Sequence, residues 1–334
     1  MAASLSNPHY TAKIVTADGD KYYITKAMTD LTLTENEKEL AQKVIVKIPN
    51  IKVGNKWLSS LIKVRDRLYV SANTGSKKDE VFRGYIWDRT FDKDIEKELT
   101  FICYDNLIYL QESEENYYFS KGKSTKSVFS TICEKKGIKL TYNHVSMKHP
   151  KLSLRGRLGD LFTNDLLEEV RKKKGKKAVI RSAKGRMHVI TIGNGNSTVY
   201  QLYKGEGGSI LSTKHHSTMD GMVTKVVILG KENEKTKKAP VKATVEGNTS
   251  KYGTLKKIID AGDSLSDAKA EAKQTIKDDG KPKKTRTVKA IDNPWIRKGD
   301  KVYMNDGSIK GYVAVLSVTH DATDKTMTLE VEKL

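Results

Sequence analysis

The histidines are the first residues that could do chemistry, because clustered imidazoles can bind a metal ion. His215 and His216 are adjacent, so on a strand their side chains would point to opposite faces. His144 and His149 are five residues apart in a predicted loop. Neither pair has a nearby cysteine or histidine to complete a set of four ligands, so we predict no metal site.

Carboxylates offer a second chemistry, because a suitably separated pair can act as general acid and general base. Asp88, Asp92 and Asp94 cluster near the end of one predicted strand. Their spacing in sequence does not fix the distance between their carboxyl groups, which a glycosidase requires. We therefore interpret them as surface carboxylates rather than a catalytic pair.

Two glycine-rich stretches, 193–197 and 205–208, lack the lysine or the strand-to-helix setting that phosphate binding needs. We predict that both are turns. A nucleophile elbow, an HExxH pair, a Walker loop and a GxGxxG motif are all missing from the sequence. We therefore assign no catalytic, cofactor-binding or metal-binding residues, and we predict that the chain is not an enzyme and uses no cofactor.

Basic residues are dense in one stretch, where nine of the sixteen residues from Arg171 to Arg186 are lysine or arginine. A second basic stretch covers 281–289. Such clusters can neutralise phosphates, but no aromatic residue is interleaved to stack on bases. No helix-turn-helix, zinc finger or aromatic RNA-binding signature accompanies them. A solvated turn is the favoured interpretation, and a nucleic-acid contact stays open as the alternative.

A turn is also predicted where Tyr104 and Asp105 close a strand. An aspartate there can accept a hydrogen bond from the backbone two residues further on, at Leu107. We expect Tyr109 and Leu110 to pack beneath this turn.

The composition sets broader limits. The 334 residues leave room for two or three domains, and 61 basic against 41 acidic residues give a net charge of +20. No apolar run reaches the roughly 20 residues that span a bilayer, and we expect no secretory signal at the start. Cys103 and Cys133 have no local partner, which fits buried thiols in a reducing cytoplasm.

The elements that position these residues begin with short strands. Asp18 and Gly19 form a hairpin signal between strands predicted at 11–16 and 21–25. Further strands are predicted at 31–34, 44–48, 61–64, 68–70 and 81–87. Many short strands at such spacing are typical of a small barrel or sandwich, which we place at residues 1–98.

The middle of the chain, residues 99–195, is predicted to be an α+β insert. After a strand at 99–104, a helix begins with Ser124 as its cap and ends at Gly137. A second helix covers about 159–173, and a two-stranded piece follows at 177–192.

Residues 196–334 return to strands, with a helical insertion at about 247–283. Ser264 caps the helix of this insertion, with Asp267 in its first turn and Gly280 past its end. The last strand alternates between polar residues and Met327, Leu329 and Val331, a period typical of a strand with one buried face. The whole pattern predicts an α+β fold that is mainly β.

Several short motifs, in order along the chain, resemble the XkdQ/YqbQ-type baseplate hub proteins of contractile prophage tails and phage-tail-like bacteriocins. The residues that carry this resemblance are Tyr104-Asp105-x-Leu107-x-Tyr109-Leu110, Phe119, the run 124–129, Ile132, Gly137-Ile138, the run 249–253, the helix 268–273, Trp295 to Val302, and Gly311-Tyr312-Val313 up to His320. The order and spacing of the motifs carry the resemblance, and the part before residue 100 is similar by pattern alone.

The resemblance implies two tandem tube-type β-barrels, an inserted α/β domain and a small helical insertion in the second barrel. It implies a homotrimer whose six barrels form a pseudo-hexameric ring between a sixfold tail tube and a threefold spike. The implied partners are the tail tube protein, the central spike, a LysM-type linker protein, the tape measure protein and the baseplate wedge proteins, with DNA only as it passes through the channel. The implied location is the baseplate of an assembled particle, a virion or a bacteriocin, made in the bacterial cytoplasm. A basic nucleic-acid-binding protein and a cell-wall hydrolase module are the alternatives from other classes.

Overall fold

A computed structural model describes residues 7–91, 97–262 and 264–334, and strands predominate, as the sequence predicts. The strands are β1 His9–Val15, β2 Lys21–Tyr23, β3 Asp30–Glu35, β4 Lys43–Pro49, β5 Lys52–Val53, β6 Lys56–Trp57, β7 Arg67–Asn73, β8 Lys78–Phe91, β9 Glu98–Tyr104, β10 Glu114–Phe119, β11 Lys139–Asn143, β12 Leu152–Arg157, β13 Ala178–Ala183, β14 Arg186–Thr191, β15 Tyr200–Tyr203, β16 Ile210–Thr218, β17 Lys225–Leu229, β18 Val241–Glu246, β19 Lys256–Asp260, β20 Lys283–Ile291, β21 Lys301–Asn305, β22 Lys310–Asp321 and β23 Thr326–Lys333. The helices are α1 Leu58–Leu61, α2 Ile108–Glu112, α3 Thr125–Lys135, α4 Leu158–Asp160, α5 Glu168–Lys174, α6 Thr249–Tyr252 and α7 Leu265–Asp279, with a 3-10 turn at Thr25–Ala27 and a π-helical segment at Leu161–Leu167.

The chain divides into two compact units. The first comprises the described residues of 1–166, 178–214 and 286–334, and the second comprises those of 167–177 and 215–285. Most strands of the first unit belong to one large sheet, in the order β16-β20-β23-β22-β3-β4-β9-β8-β7-β1-β2, with β21 and β15 continuing from β22.

This large sheet covers two separate cores. Strands of the N-terminal part enclose one, in which the alternate residues Val44, Val46 and Ile48 of β4 are fully buried. The C-terminal strands enclose the other, which contains Met327 and Leu329 of β23. Full burial of such side chains contributes about 1.5–3 kcal/mol each, so the alternation seen in the sequence drives each half to form its own core.

The two halves of the sheet are joined by antiparallel pairing of β22 with β3. β22 pairs with β21 near its start, whereas its end, from Val318 to Asp321, pairs with β3 from Glu35 back to Thr32. A register shift between Val315 and Ser317 separates these two stretches on the β23 side. One long strand thus carries the hydrogen bonding from the C-terminal half into the N-terminal half.

Helix α3 packs against a three-stranded sheet in the order β11-β14-β13, also within the first unit. Ser124 caps this helix by accepting a hydrogen bond from Ser127 N at 3.1 Å, as predicted. Phe129 stacks on Phe162 with ring centroids 4.4 Å apart. Gly137 has a φ of +66°, the left-handed conformation that glycine adopts at a helix end.

The second unit contains a three-stranded sheet in the order β18-β17-β19, with α7 packed against it. Val226 and Ile228 of β17 form a small core with Ala268 and Ala272 of α7. Ser264 caps α7 by accepting from Asp267 N, which confirms the predicted helix start.

Some local predictions were wrong. The segment 61–64 was predicted as a strand, but Leu58–Leu61 forms a helical turn in which Ile62 N bonds to Leu58 O. The chain then turns at Arg65, whose φ is +73°. Leu58 and Ile62, which are both buried, are four residues apart, the spacing of one helical turn. A short apolar run in the sequence does not distinguish this spacing from a strand. Strands β5, β6, β10, β11, β12, β16, β19 and β20 were not predicted either.

Candidate functional site: a buried charge cluster and an exposed aromatic patch

A buried ion pair lies in the first unit, where β3 ends. The Arg297 guanidinium donates to the Glu35 carboxylate twice, from Nε to Oε2 at 3.0 Å and from Nη2 to Oε1 at 2.6 Å. Glu35 is only 2% exposed. Burial opposes its ionisation, but the charge and hydrogen bonds of Arg297 outweigh burial and lower the pKa of Glu35 to about 2. The pair is therefore ionised at neutral pH.

Lys298 extends this cluster and is only 1% exposed. Its Nζ donates to the carbonyl oxygens of Asn36 at 2.9 Å and Glu39 at 2.5 Å. Burial lowers the pKa of Lys298 to about 8, with Glu35 acting in the opposite direction. The amine is thus held by the chain that follows β3.

Asp105 adds a buried carboxyl group at the end of β9. It accepts from Gln42 N at 2.9 Å and from Leu107 N at 2.8 Å, which confirms the predicted turn. Burial raises the pKa of Asp105 to about 7 despite these two donors. Leu110 is buried beneath the turn as predicted, but Tyr109 is 41% exposed, so that part of the prediction was wrong.

Arg181 connects the β13–β14 hairpin to this cluster. Its Nη1 donates to Asp300 Oδ1 at 2.8 Å and to Lys298 O at 2.7 Å, and its Nη2 donates to Gly195 O at 2.7 Å. A Cβ on Gly195 would lie 2.4 Å from Asp300 Oδ1, so only glycine allows this approach. Arg181 belonged to the predicted basic cluster, but here it is a mostly buried structural residue.

A second buried group joins the start of the first unit to its C-terminal half. Tyr10 Oη donates to Asp292 Oδ2 at 2.6 Å. His320 contacts Asp292 Oδ1 through Nδ1 at 2.6 Å and Ile296 O through Nε2 at 3.0 Å. Both ring nitrogens therefore face oxygen atoms.

The densest basic run lies largely in the second unit, where Arg171, Lys172 and Lys173 form ion pairs. Arg171 binds Glu168 and Asp278, with Nη1 2.5 Å from Asp278 Oδ2. Lys172 Nζ is 2.8 Å from Glu271. Lys173 Nζ is 2.8 Å from Glu169. These pairs use much of the charge that a phosphate contact would need, so a solvated surface is favoured over a nucleic-acid contact. Arg171 to Lys174 belong to α5, however, so the predicted turn was wrong for this part of the run.

The histidines remain apart from any ligand cluster. His149 is buried and its Nε2 contacts Thr125 Oγ1 at 2.8 Å, whereas His144 Nδ1 contacts Thr191 Oγ1 at 2.8 Å. Burial lowers the pKa of His144 to about 4. His215 and His216 are both exposed on β16. Within residues 7–91, 97–262 and 264–334, no group of three or more His, Cys, Asp or Glu side chains could hold a metal ion.

The carboxylates near the end of β8 and the two glycine-rich stretches form no further candidate site among the described residues. Asp88 is exposed on β8, and Asp92 and Asp94 lie outside the described residues. Gly193 and Gly207 have φ of +85° and +67°, values typical of the predicted turns. No helix of the described residues is long and apolar enough to cross a membrane.

Four aromatic side chains form a patch on the first unit, which we call the aromatic patch: Tyr85, Trp87, Tyr104 and Tyr109. Trp87 lies edge-to-face against Tyr109 and Tyr104, at centroid distances of 5.5 and 6.4 Å, and Tyr85 is 5.7 Å from Tyr109. Trp87 is 43% exposed. Exposed tyrosine and tryptophan are enriched at protein interfaces, so this patch is a candidate contact surface.

The main members of the buried cluster, Glu35, Arg297 and Lys298, were not predicted as site residues. Glu35 had a detectable signal, because it continues the buried positions Leu31 and Leu33 of β3. An ionisable residue at an apolar position of an alternating strand indicates a buried partner. Nothing in the sequence pointed to Arg297 as that partner.

The fold and these features define a mainly β protein without a recognisable catalytic constellation in its described residues. The tail protein from Neisseria meningitidis has the same fold, with a TM-score of 0.70 at 12% identity, covering 97% of this chain and 96% of that one. The 43 kDa tail protein of prophage MuSo2 from Shewanella oneidensis gives a TM-score of 0.68 at 14% identity, covering 98% of both chains.

The chain belongs to the YQBQ-like family, whose family model matches residues 31–332. It is similar to the phage-like element PBSX protein XkdQ of Bacillus subtilis, with 24% identity over 281 residues, covering 80% of this chain and 84% of the relative. The resemblance seen in the sequence is therefore confirmed. The family match also includes most of the first hundred residues, where only the pattern had suggested it.

Proposed function

We propose that this protein is the structural hub of a contractile-tail baseplate, in a phage or a phage-tail-like bacteriocin. Three copies form a ring that adapts a sixfold tail tube to a threefold spike. In this proposal, residues 1–98 and 196–334 supply two tube-type barrels per chain, and residues 99–195 form the insert. No bond is made or broken, and the protein acts by position.

The observation that carries the proposal is the pairing of β22 with β3, which links two halves with separate cores in one continuous sheet. A single chain with two such halves can fill two adjacent positions of a sixfold ring. Three chains then complete six positions while keeping threefold symmetry for the spike. Closing a ring also removes exposed strand edges, which stabilises the assembled state.

The partners in this proposal are the tail tube protein, the central spike, a LysM-type linker protein, the tape measure protein and the wedge proteins. DNA is a partner only as it passes through the channel. The protein is located in the baseplate of the assembled particle. The exposed aromatic patch supports an assembly role, because tyrosine and tryptophan supply much of the binding energy at protein interfaces.

The experiment that tests this assignment is electron microscopy of the purified chain mixed with the tail tube and spike proteins of the same gene cluster. We expect a ring of three copies with six lobes, seated between tube and spike. Tube and spike that assemble normally without this chain, and never bind it, would refute the proposal.

A further inference from the structure

A cleft of about 580 Å³ opens in the first unit, beside the buried charge cluster. Four segments of the chain supply most of its lining: residues 77–83 at the start of β8, residues 181–188 of the β13–β14 hairpin, and the segments 195–200 and 294–300. Gln42 and Asp105 complete it. Its volume is within the range of specific ligand sites. Strands position most of the lining, so the cleft is preformed.

The ion-paired carboxylates that line the cleft are matched by cations from the same lining. The pairs are Asp79 with Lys184, Glu80 with Arg83, and Asp300 with Arg181, with closest N–O distances of 2.8, 2.6 and 2.8 Å. The lining thus neutralises these acidic groups itself, and they present little net negative charge to a ligand.

Two further cations of the lining, Arg186 and Lys77, form no close ion pair with a described carboxylate, although the charge of Lys77 helps to lower the pKa of Asp79. Arg186 Nη1 donates to the carbonyl oxygen of Leu140 at 3.1 Å, and no carboxylate pairs with it among the described residues. Lys77 Nζ lies 4.2 Å from the ring centroid of Trp295. Both cations keep donors available for an incoming anion.

His188 also lines the cleft, and nearby arginine charges act on its pKa. Burial lowers its pKa, and the charges of Arg181, Arg297 and Arg186 lower it further. Its Cα is paired in register with that of Arg181 across the β13–β14 hairpin. The imidazole is therefore mostly neutral at pH 7, and the guanidinium groups set the charge of the site.

The volume of the cleft and the position of Trp295 favour a carboxylate side chain over a nucleic acid as the bound anion. Trp295 is fixed by a hydrogen bond from its Nε1 to Thr74 Oγ1 at 3.3 Å, and Lys77 already covers one face of its ring. That face is closed to a stacking base, and the volume is too small for a duplex. A glutamate side chain needs no free ring face, since its methylene groups can contact the edge of the indole while its carboxylate reaches a cation.

We propose that this cleft binds an acidic peptide segment of a partner protein, with Arg186 and Lys77 receiving its carboxylates and Trp295 contacting its aliphatic parts. The proposal goes beyond the hub assignment and does not depend on trimer formation.

The test is fluorescence anisotropy of a labelled peptide of alternating glutamate and leucine, titrated with the full chain at low salt. Lys77→Glu and Arg186→Glu should each weaken binding about tenfold, because each removes a charge-assisted hydrogen bond and adds repulsion. Lys269→Glu is the matched control, with the same change of charge on an exposed face of α7. It should change the affinity less than about twofold, since an exposed charge that does not line the cleft is screened by solvent.

Equal weakening by all three substitutions would overturn the proposal, because the net charge of +20 would then explain the binding. Absence of any peptide binding would overturn it as well. So would retention of peptide binding in Lys77→Glu and Arg186→Glu while binding of a single-stranded DNA oligonucleotide is lost. Lys77 is exposed, so its variant tests the site without a risk to folding, and Arg186→Gln tests the second cation at lower structural cost.

Discussion

Glu35 and Arg297 are separated by 262 residues in the sequence, yet they form a two-point ion pair in the interior of the first unit. Glu35 ends β3 at the place where the N-terminal half meets β22, and Arg297 comes from the turn that precedes β21. The pair therefore fixes the junction between the two halves of the sheet. Its burial makes it costly to break, because either partner alone would be an unpaired buried charge.

Replacement of Glu35 by glutamine should lower the free energy of unfolding by roughly 3–5 kcal/mol, since it leaves the Arg297 charge buried without a counter-ion. Urea unfolding followed by circular dichroism measures this change. Glu80→Gln is the matched control: Glu80 makes a similar two-point pair with Arg83, but Arg83 is 45% exposed. That variant should lose less than about 1 kcal/mol. Equal losses for both variants would contradict the buried role of Glu35.

Asp105 should give the protein a pH dependence of a particular sign. Burial raises the pKa of this carboxyl from 3.8 to about 7 in the folded state. Between about pH 4 and pH 7 the folded state therefore holds a proton that the unfolded state has lost, so the contribution of Asp105 to stability falls as the pH rises through this window. Above pH 7 the contribution remains low.

Comparison with Asp105→Asn isolates this effect, because asparagine does not ionise. The stability of the natural chain minus that of the variant should be larger at pH 4 than at pH 8 by a few kcal/mol. Both values come from urea unfolding at each pH. A difference that does not change with pH would show that the pKa of Asp105 is not raised.

Substitution of Tyr10 by phenylalanine should lower the free energy of unfolding by about 1–3 kcal/mol. It removes the hydroxyl that donates to Asp292 and leaves a buried carboxylate with one partner fewer. Tyr23→Phe removes a hydroxyl from a side chain that is 75% exposed, and it should have almost no effect. Thermal unfolding of the two variants measures the contribution of the Tyr10–Asp292 hydrogen bond. Similar melting temperatures for both variants would argue against a stabilising role for this bond.

Charge reversal of Lys172 and Lys173 should act on stability rather than on nucleic-acid binding. Both lysines pair with glutamates of the second unit, so glutamate at these positions creates repulsion on α5 and toward α7. We expect a modest loss of stability, on the order of 1 kcal/mol, and little change in affinity for a DNA oligonucleotide at physiological salt. Abolished DNA binding in a stably folded double variant would support the nucleic-acid alternative instead.

The sequence predicts local features of this fold well. Ser124 and Ser264 mark two helix starts because capping needs only neighbouring backbone donors. Met327 and Leu329 mark a buried strand face because alternation is also local. Both kinds of signal arise within a few residues, so one sequence is enough to detect them.

The candidate site was much harder to predict, because its partners come from distant segments. Glu35 and Arg297 meet where β22 pairs with β3, and Arg181 joins them from β13. The basic run illustrates the same limit, since the carboxylate that pairs with Lys172 lies 99 residues further on. Many side chains of this basic run therefore form ion pairs in the folded protein, and composition alone cannot identify their partners.

The measurement that tests the hub proposal most directly is the mass of the purified protein in solution, alone and mixed with its neighbouring spike protein, by light scattering after size exclusion. The proposal predicts a species that contains three copies of this chain, in at least one of the two samples. A chain that stays a compact monomer even when both spike and tube proteins are present would contradict it.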